Sequence, residues 1–495
     1  MFARSLYAQQ QHESSSSSST AGVGVDSDVV EELESHAHSA LLQPPSATLQ
    51  LFRALAAACA GATVRADRHD QRAVMAFQHV PPEHVTAHDC VTAARLYQAL
   101  GVSTTARSVF ARALQKEPAA VEAALGMLEC GDSVANVLAL LNASPAVFDA
   151  APFLAALVEA HAARLKHDYG DAHKRFADLA AWFPSSSHVQ HHLGVVRVQD
   201  GYSHLALSTF QQLRSLDPYY VDGLDTYGSI VKLRGTVAAL RSLAADLLAI
   251  DKQRPEPWCV AAMHAEAEGD RQKAMQLVER ALAIDEMHTF AYLLRGALLL
   301  SHNLAKRAQM SFSRALSIAK DHSAYQGLVQ AHLQLDDFAR ALAVAREASR
   351  VMPRSARALA LVGLVLSCDQ AQRRKARRVL EQALALRPRC IEAVLALADL
   401  DNAEGQLAEA VKRLNEQLLH DVGNAEFIHV KLGDVLAKTN PDEALAHYRS
   451  ALDLNSLSEG ANNGMVRLQN RTATGDEQRS GTLVPSRSPV SPSIM

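Results

Sequence analysis

Three histidines, His188, His191 and His192, crowd one stretch of the chain. An i, i+3 pair such as His188 and His191 sets two imidazoles on one helical face, an arrangement that zinc sites use. A tetrahedral site needs a third ligand, and none is in phase; the set His161, His167 and His173 is weaker still. With 22 histidines in 495 residues, clustering is expected without a ligand role, so these side chains are predicted to be solvated and no metal is expected.

A second concentration of chemistry is the basic run Arg373, Arg374, Lys375, Arg377 and Arg378, which could meet an acidic partner or act as a nuclear localisation patch if it is not simply a solvated helix face. The six cysteines, Cys59, Cys90, Cys130, Cys259, Cys368 and Cys390, are scattered and form no C-x-x-C pair, so they are expected to be small core hydrophobes in a reducing compartment. The sequons at Asn142 and Asn470 then carry no meaning, since they matter only on the secretory route. No phosphate-cradling G-x-x-x-x-G-K-S/T, no G-x-S-x-G elbow and no H-E-x-x-H helix occurs. Neither a cofactor nor a small-molecule substrate is expected.

Net charge of −4 supplies no positive field for a polyanion, so nucleic acid is not an expected partner. The longest apolar stretches, such as Leu359 to Cys368, are bounded by Arg357 and Asp369 and are too short to cross a bilayer. No membrane partner follows, and a soluble chain is expected. Met1 to Glu13 lacks an apolar run of signal-peptide length, so the chain is expected not to be secreted.

Alanine and leucine dominate, aromatics make up only 5%, and β-branched runs are few, which predicts an all-α fold. Residues 1–46, with Ser14 to Ser19 in a row, are expected to be a disordered leader. Residues 47–86 form an N-terminal helical segment that Pro81 and Pro82 end. Repeats begin at 87.

The repeats show as self-similarity at a fixed period. From Gly194 the offsets 12, 16 and 24 reach Ala206, Phe210 and Pro218. The same frame runs from Gly296 to Ala308 and Phe312, from Val329 to Ala341 and Pro353, and from Ala398 to Ala410 and Leu414. The markers Gly194, Gly228, Ala262, Gly296, Val329, Gly363, Ala398 and Gly433 stand 34, 34, 34, 33, 34, 35 and 35 residues apart. Eight phased units therefore tile 187–458. Residues 87–186 hold earlier repeats, with a degenerate unit at 121–152 where Gly131 and Pro145 fall in helix, and 459–495 reads as a terminal helix and a disordered tail carrying Ser488-Pro489 and Ser491-Pro492.

In each unit a small residue on the first helix is expected to meet a small residue on the second, with the large residue beside them. Proline stops the second helix. One apolar face stays uncovered until the next pair buries it.

This frame resembles the tetratricopeptide repeat family, with Trp258 and Tyr292 at its Trp place. The resemblance implies an α-solenoid, a right-handed superhelix of helix-turn-helix pairs whose first helices line a concave groove through positions 2, 5, 9 and 12. Those places hold Asp222, Asp225, Glu256, Glu266, Glu392, Asp399 and Asp434, with Lys232 and Arg357 the main basic exceptions, so the groove is expected to be acidic and open to basic or polar segments of partners, unless these are ordinary solvated positions. The Lys, Asn and Arg clamp by which some family members grip chaperone C-termini is missing.

Five irregular segments narrow the resemblance: Arg214 to Gly228 (RSLDPYYVDGLDTYG), Glu256-Pro257-Trp258, Ala383 to Pro388 (ALALRP), Lys431 to Val435 (KLGDV) and Ala123 to Leu128 (AALGML). Together they resemble the subunit 7 family of the anaphase-promoting complex, the cell-cycle ubiquitin ligase, in register over about 87–470. That resemblance implies a non-catalytic scaffold in the repeat arm of the complex, a homodimer stacked on subunit 3 and other subunits, present in nucleus and cytoplasm. Departures lie at the ends, in the serine-rich leader and in Arg471 to Met495. A sister repeat subunit of the same ligase, or a repeat adaptor or co-chaperone, is the alternative.

Overall fold

The computed structural model describes residues 49–50, 52–53, 55–56, 67–142 and 152–475, and among them it holds 24 α-helices and no strand. The expected leader, Pro145, Cys59 and the tail beyond 475 lie outside the described residues. The chain falls into two compact units, one ending at Cys130 and one starting at Gly131.

In the first unit, α1 (Asp67–Gln78), α2 (Ala87–Ala99), α3 (Ser103–Lys116) and α4 (Val121–Glu129) follow one another. Thr86 caps α2 reciprocally with Asp89, satisfying two orphan amides. Burial alone would raise the Asp89 carboxyl, but Arg53, 2.8 Å away through two nitrogens, and the Thr86 donors hold it at about 2.

The second unit opens with α5 (Val134–Asn142) and then repeats in pairs. These are α6 (Phe153–Leu165) with α7 (Tyr169–Trp182), α8 (Ser187–Gln199) with α9 (Ser203–Leu216), α10 (Leu224–Leu233) with α11 (Val237–Ile250), and α12 (Pro255–Ala267) with α13 (Arg271–Ile284). They continue as α14 (Thr289–Ser301) with α15 (Ala305–Ile318), α16 (His322–Gln334) with α17 (Phe338–Val351), and α18 (Ala356–Ser367) with α19 (Arg373–Leu386). Then come α20 (Ile391–Ala403) with α21 (Leu407–His420), α22 (Ala425–Leu436) with α23 (Pro441–Leu454), and the terminal α24 (Glu459–Gly475).

What breaks most of the pairs is a left-handed residue at the turn. Gly201 (φ 79°) and Gly269 (φ 85°) occupy it without a Cβ penalty, while His167, Asn303 and Asp336 take the same place at φ 57–58°. Between α18 and α19 a 3-10 turn, Gln370–Gln372, does this work instead, and the marker spacing lengthens to 35 there. Gly131 (φ 83°) also follows a C-cap, Cys130, so it marks a turn where the sequence pattern placed helix. Second helices end in non-helical backbone at Asp217, Met352 and Arg387, each followed by its proline, Pro218, Pro353 or Pro388. A residue before proline is pushed out of the helical region, so the stop is local.

Packing follows a different rule from small against small. The alanines Ala206, Ala308, Ala341 and Ala410 are wholly buried, but the glycines face large rings. A Cβ on Gly194 would come 2.9 Å from the Phe210 ring, and on Gly296 2.6 Å from Phe312. Gly327, on the next first helix, clears the other side of Phe312, so the ring is clasped between two first helices and links one repeat to the next. Tyr448 is clasped likewise by Gly433 and Gly464, and Leu380 lies over Gly363. Gly228 instead makes room for Val260 and Met263 of α12. Trp258, half-buried, donates to the Lys252 carbonyl at 2.9 Å and lies under Arg280.

From α10 to α24, consecutive first helices touch one another directly, whereas second helices make their principal contacts with first helices. The first helices are therefore the tighter, inner layer.

Candidate interaction surface

On that inner layer the sequence counted seven carboxylates, and the structure gives each of them a basic partner. Lys232 reaches Glu266 at 2.6 Å, Arg357 reaches Glu392 at 2.6 Å, Lys431 reaches Asp399 at 2.9 Å and Arg467 reaches Asp434 at 2.9 Å. Arg254 joins Asp222 to the buried Glu256, and His288 meets the buried Asp225 at 2.9 Å. Most of these pairs span a single repeat length, so opposite charges ladder along the axis and the inner face carries far less net charge than the carboxylates suggest. Lys232 and Arg357, the apparent exceptions, are rungs of that ladder.

Burial sharpens two of the rungs. Burial alone would raise the Glu392 carboxyl, but Arg357 outweighs it and holds it at about 2. His322, at the start of α16, faces the same pair; burial and Arg357 push it down to about 3, against the opposing pull of Glu392. For His288 burial opposes protonation, yet the Asp225 hydrogen bond and charge leave its pKa raised.

The inner layer also closes on itself. Arg357 donates to the carbonyls of Gln199 (3.1 Å) and Val198, Gln199 donates to Asp321 at 3.2 Å, and Arg387 reaches Asp200. These contacts join residues 122 to 187 positions apart, which means the superhelix has come round and the end of α8 touches the starts of α16 and α18 and the end of α19. Further on, Asn455 and the Ser456 amide crowd Gly235, and His204 crowds Gly423. Sequence reasoning missed this contact between turns, for no local pattern marks it.

Among the histidines, the pair that shares a site is His188 with His192, at i, i+4, and not His188 with His191. His161 of α6, in the preceding repeat, supplies a third ring beside them that spacing within one helix could not reveal. His191 is turned away, over Gly223 and against Tyr220 at 5.5 Å between ring centroids. Gly223, in left-handed backbone at the N-cap of α10, is what leaves room for it, and so gives part of the irregular segment from Arg214 to Gly228 a steric reason. A Cβ there would fall 2.4 Å from the His191 ring.

A second cluster, Asp225, Cys259 and His288, has the residue types of a nucleophilic triad. Cys259 is wholly buried, and burial pushes its thiol well up, so it stays protonated and sealed. Cys90 and Cys390 are buried as expected, whereas Cys368 is exposed and Cys130 half-buried. Both of the latter are C-caps of first helices, where the chain turns outward to solvent. In the basic run Arg377 pairs with Asp401 at 2.8 Å and Glu404 at 2.7 Å, while Arg374, Lys375 and Arg378 are exposed.

Comparison with known proteins adds the family. A tetratricopeptide repeat family model matches residues 369–431. Anaphase-promoting complex subunit 7 of Arabidopsis thaliana is 33% identical over 385 residues, covering 76% of this chain and 68% of the relative. The protein of the same name in Dictyostelium discoideum is 34% identical over 52% of this chain and 45% of its own length. A crystal structure of the APC/C hetero-tetramer Cut9-Hcn1 superposes with a TM-score of 0.56, covering 88% of this chain and 96% of the solved one at 15% identity, a likeness of fold. With a relative one third identical over more than two thirds of both lengths, this chain belongs to the anaphase-promoting complex subunit 7 family.

Proposed function

We propose that this chain is a non-catalytic scaffold subunit of the anaphase-promoting complex, which holds neighbouring subunits of that ligase through its repeats, subunit 3 among them, and pairs with a second copy of itself. The observation that carries the reading is the 385-residue likeness to a subunit 7 relative, which spans most of the repeat frame. A non-catalytic role is supported by the use of every helix from α6 to α23 as one half of a repeat pair.

Among the seven inner carboxylates, Asp222 and Asp399 keep the most surface, with side chains 45% and 48% exposed, and these suit a basic or polar segment of a neighbour. Nuclear import through exposed Arg374, Lys375 and Arg378 fits a subunit working in nucleus and cytoplasm. Immunoprecipitation of the full chain followed by mass spectrometry tests the reading: other ligase subunits are expected, and chaperones or unrelated clients in their place would support an adaptor. Light scattering on the eluted chain reads the dimer, and Asp399→Lys is expected to weaken capture of a neighbouring subunit.

A further inference from the structure

The three histidines that converge between α6 and α8 have ligand atoms all within 4.8 Å of one another. Nε2 of His161 lies 3.2 Å from Nε2 of His188. Two nitrogens bound at about 2.0–2.1 Å to one tetrahedral ion stand about 3.3–3.4 Å apart, so the observed separation is close to what a shared ion sets. A hydrogen bond between two imidazoles would explain that one distance but not the third ring. His192 stands 4.5 Å, centroid to centroid, from both His161 and His188.

The surroundings favour ligation. His188 and His192 lie one helical turn apart on α8, which fixes their common direction. Phe176, wholly buried, meets His161 edge-on at 5.1 Å and stacks on His192 at 5.7 Å, giving the rings an apolar wall that holds their orientation. His161 is 3% exposed, while His188 and His192 are half-buried.

We propose that His161, His188 and His192 form a three-histidine site for a divalent first-row metal of the zinc class, with water in the fourth position. An all-imidazole set selects zinc and its neighbours over calcium or magnesium, which take oxygen ligands. Arg164 opposes the cation, so its removal is expected to tighten binding.

The test uses the full chain, stripped with a chelator and titrated with Co2+, whose visible absorption reports tetrahedral coordination, followed by displacement with Zn2+. One equivalent is expected to bind with a tetrahedral band that Zn2+ removes. His188→Gln and His192→Gln, both partly exposed and checked for helicity by circular dichroism, are each expected to weaken binding by more than the about 10–100-fold that loss of an outer-shell partner costs. His191→Gln should retain the band, and Arg164→Gln should strengthen binding. Absence of the band in the unmodified chain, or its survival in both His188→Gln and His192→Gln, overturns the proposal.

Discussion

Arg387 and Asp200, 187 residues apart, meet where the superhelix closes: the guanidinium donates to the Asp200 main-chain carbonyl and reaches its carboxylate at 3.2 Å. The same guanidinium lies over the Tyr202 ring at 4.5 Å. Both side chains of the pair are about four-fifths or more buried, at 15% and 16% exposure, so the contact is a buried fastening between turns.

Removing Arg387 leaves a buried carboxylate without its cation. Arg387→Ala is expected to lower stability, and a double-mutant cycle with Asp200→Ala should return a coupling of about 1–3 kcal/mol. Small-angle scattering should show the radius of gyration rising in Arg387→Ala. Arg354→Ala, which removes a highly exposed partner of Asp168, should change little by either measure.

Arg254 holds two carboxylates at once, Asp222 and the buried Glu256. Arg254→Ala is expected to cost about 3–5 kcal/mol, because Glu256 is left as an uncompensated charge in the interior. Chemical denaturation reads the loss, and adding Glu256→Gln should recover part of it.

The glycine clasp predicts an asymmetry of size. Gly296→Ala places a methyl 2.6 Å from the Phe312 ring and should cost about 1–3 kcal/mol by overpacking. Phe312→Leu in the same chain is expected to relieve part of that cost, which comparison of unfolding midpoints for the single and double variants would reveal.

His322 gives a pH dependence of stated sign. It is 2% exposed, faces Arg357 from α18 and Glu392 from α20, and stays neutral in the fold down to about 3. The unfolded chain protonates it near 6.5, so its contribution is complete above that pH and is lost by about 1.4 kcal/mol per pH unit as the solution is acidified toward 3. Glu392, depressed to about 2, adds its own loss only once pH falls below its ordinary 4.5. Thermal midpoints of His322→Asn should therefore fall less than those of the unmodified chain between pH 6.5 and 4.5; parallel curves would reject the assignment.

The repeat was legible because its causes are short-range. A residue before proline leaves the helical region by local sterics, a left-handed glycine ends a first helix at its own position, and Phe312 finds Gly296 within 16 residues. Composition and period thus fixed helices, pairing and solenoid. Half of the charge ladder was also within reach, since Lys232 with Glu266 and Asp399 with Lys431 are opposite charges one repeat apart. Reading Lys232 and Arg357 as exceptions rather than as partners hid it.

Other features depend on how repeats add up. Which way His161 points relative to His188, and whether Arg387 arrives at Asp200, follow from small rotations between neighbouring pairs, each set by side chains such as Phe312 and Tyr448 clasped between first helices. No single repeat encodes that rotation, and its effect grows with every unit added. The sequence by itself determined the unit and its stacking, which local sterics and burial dictate; only the tertiary structure decided which histidines converge, because that depends on the rotation at one repeat interface, and where the turns touch, because that is a sum over many such interfaces.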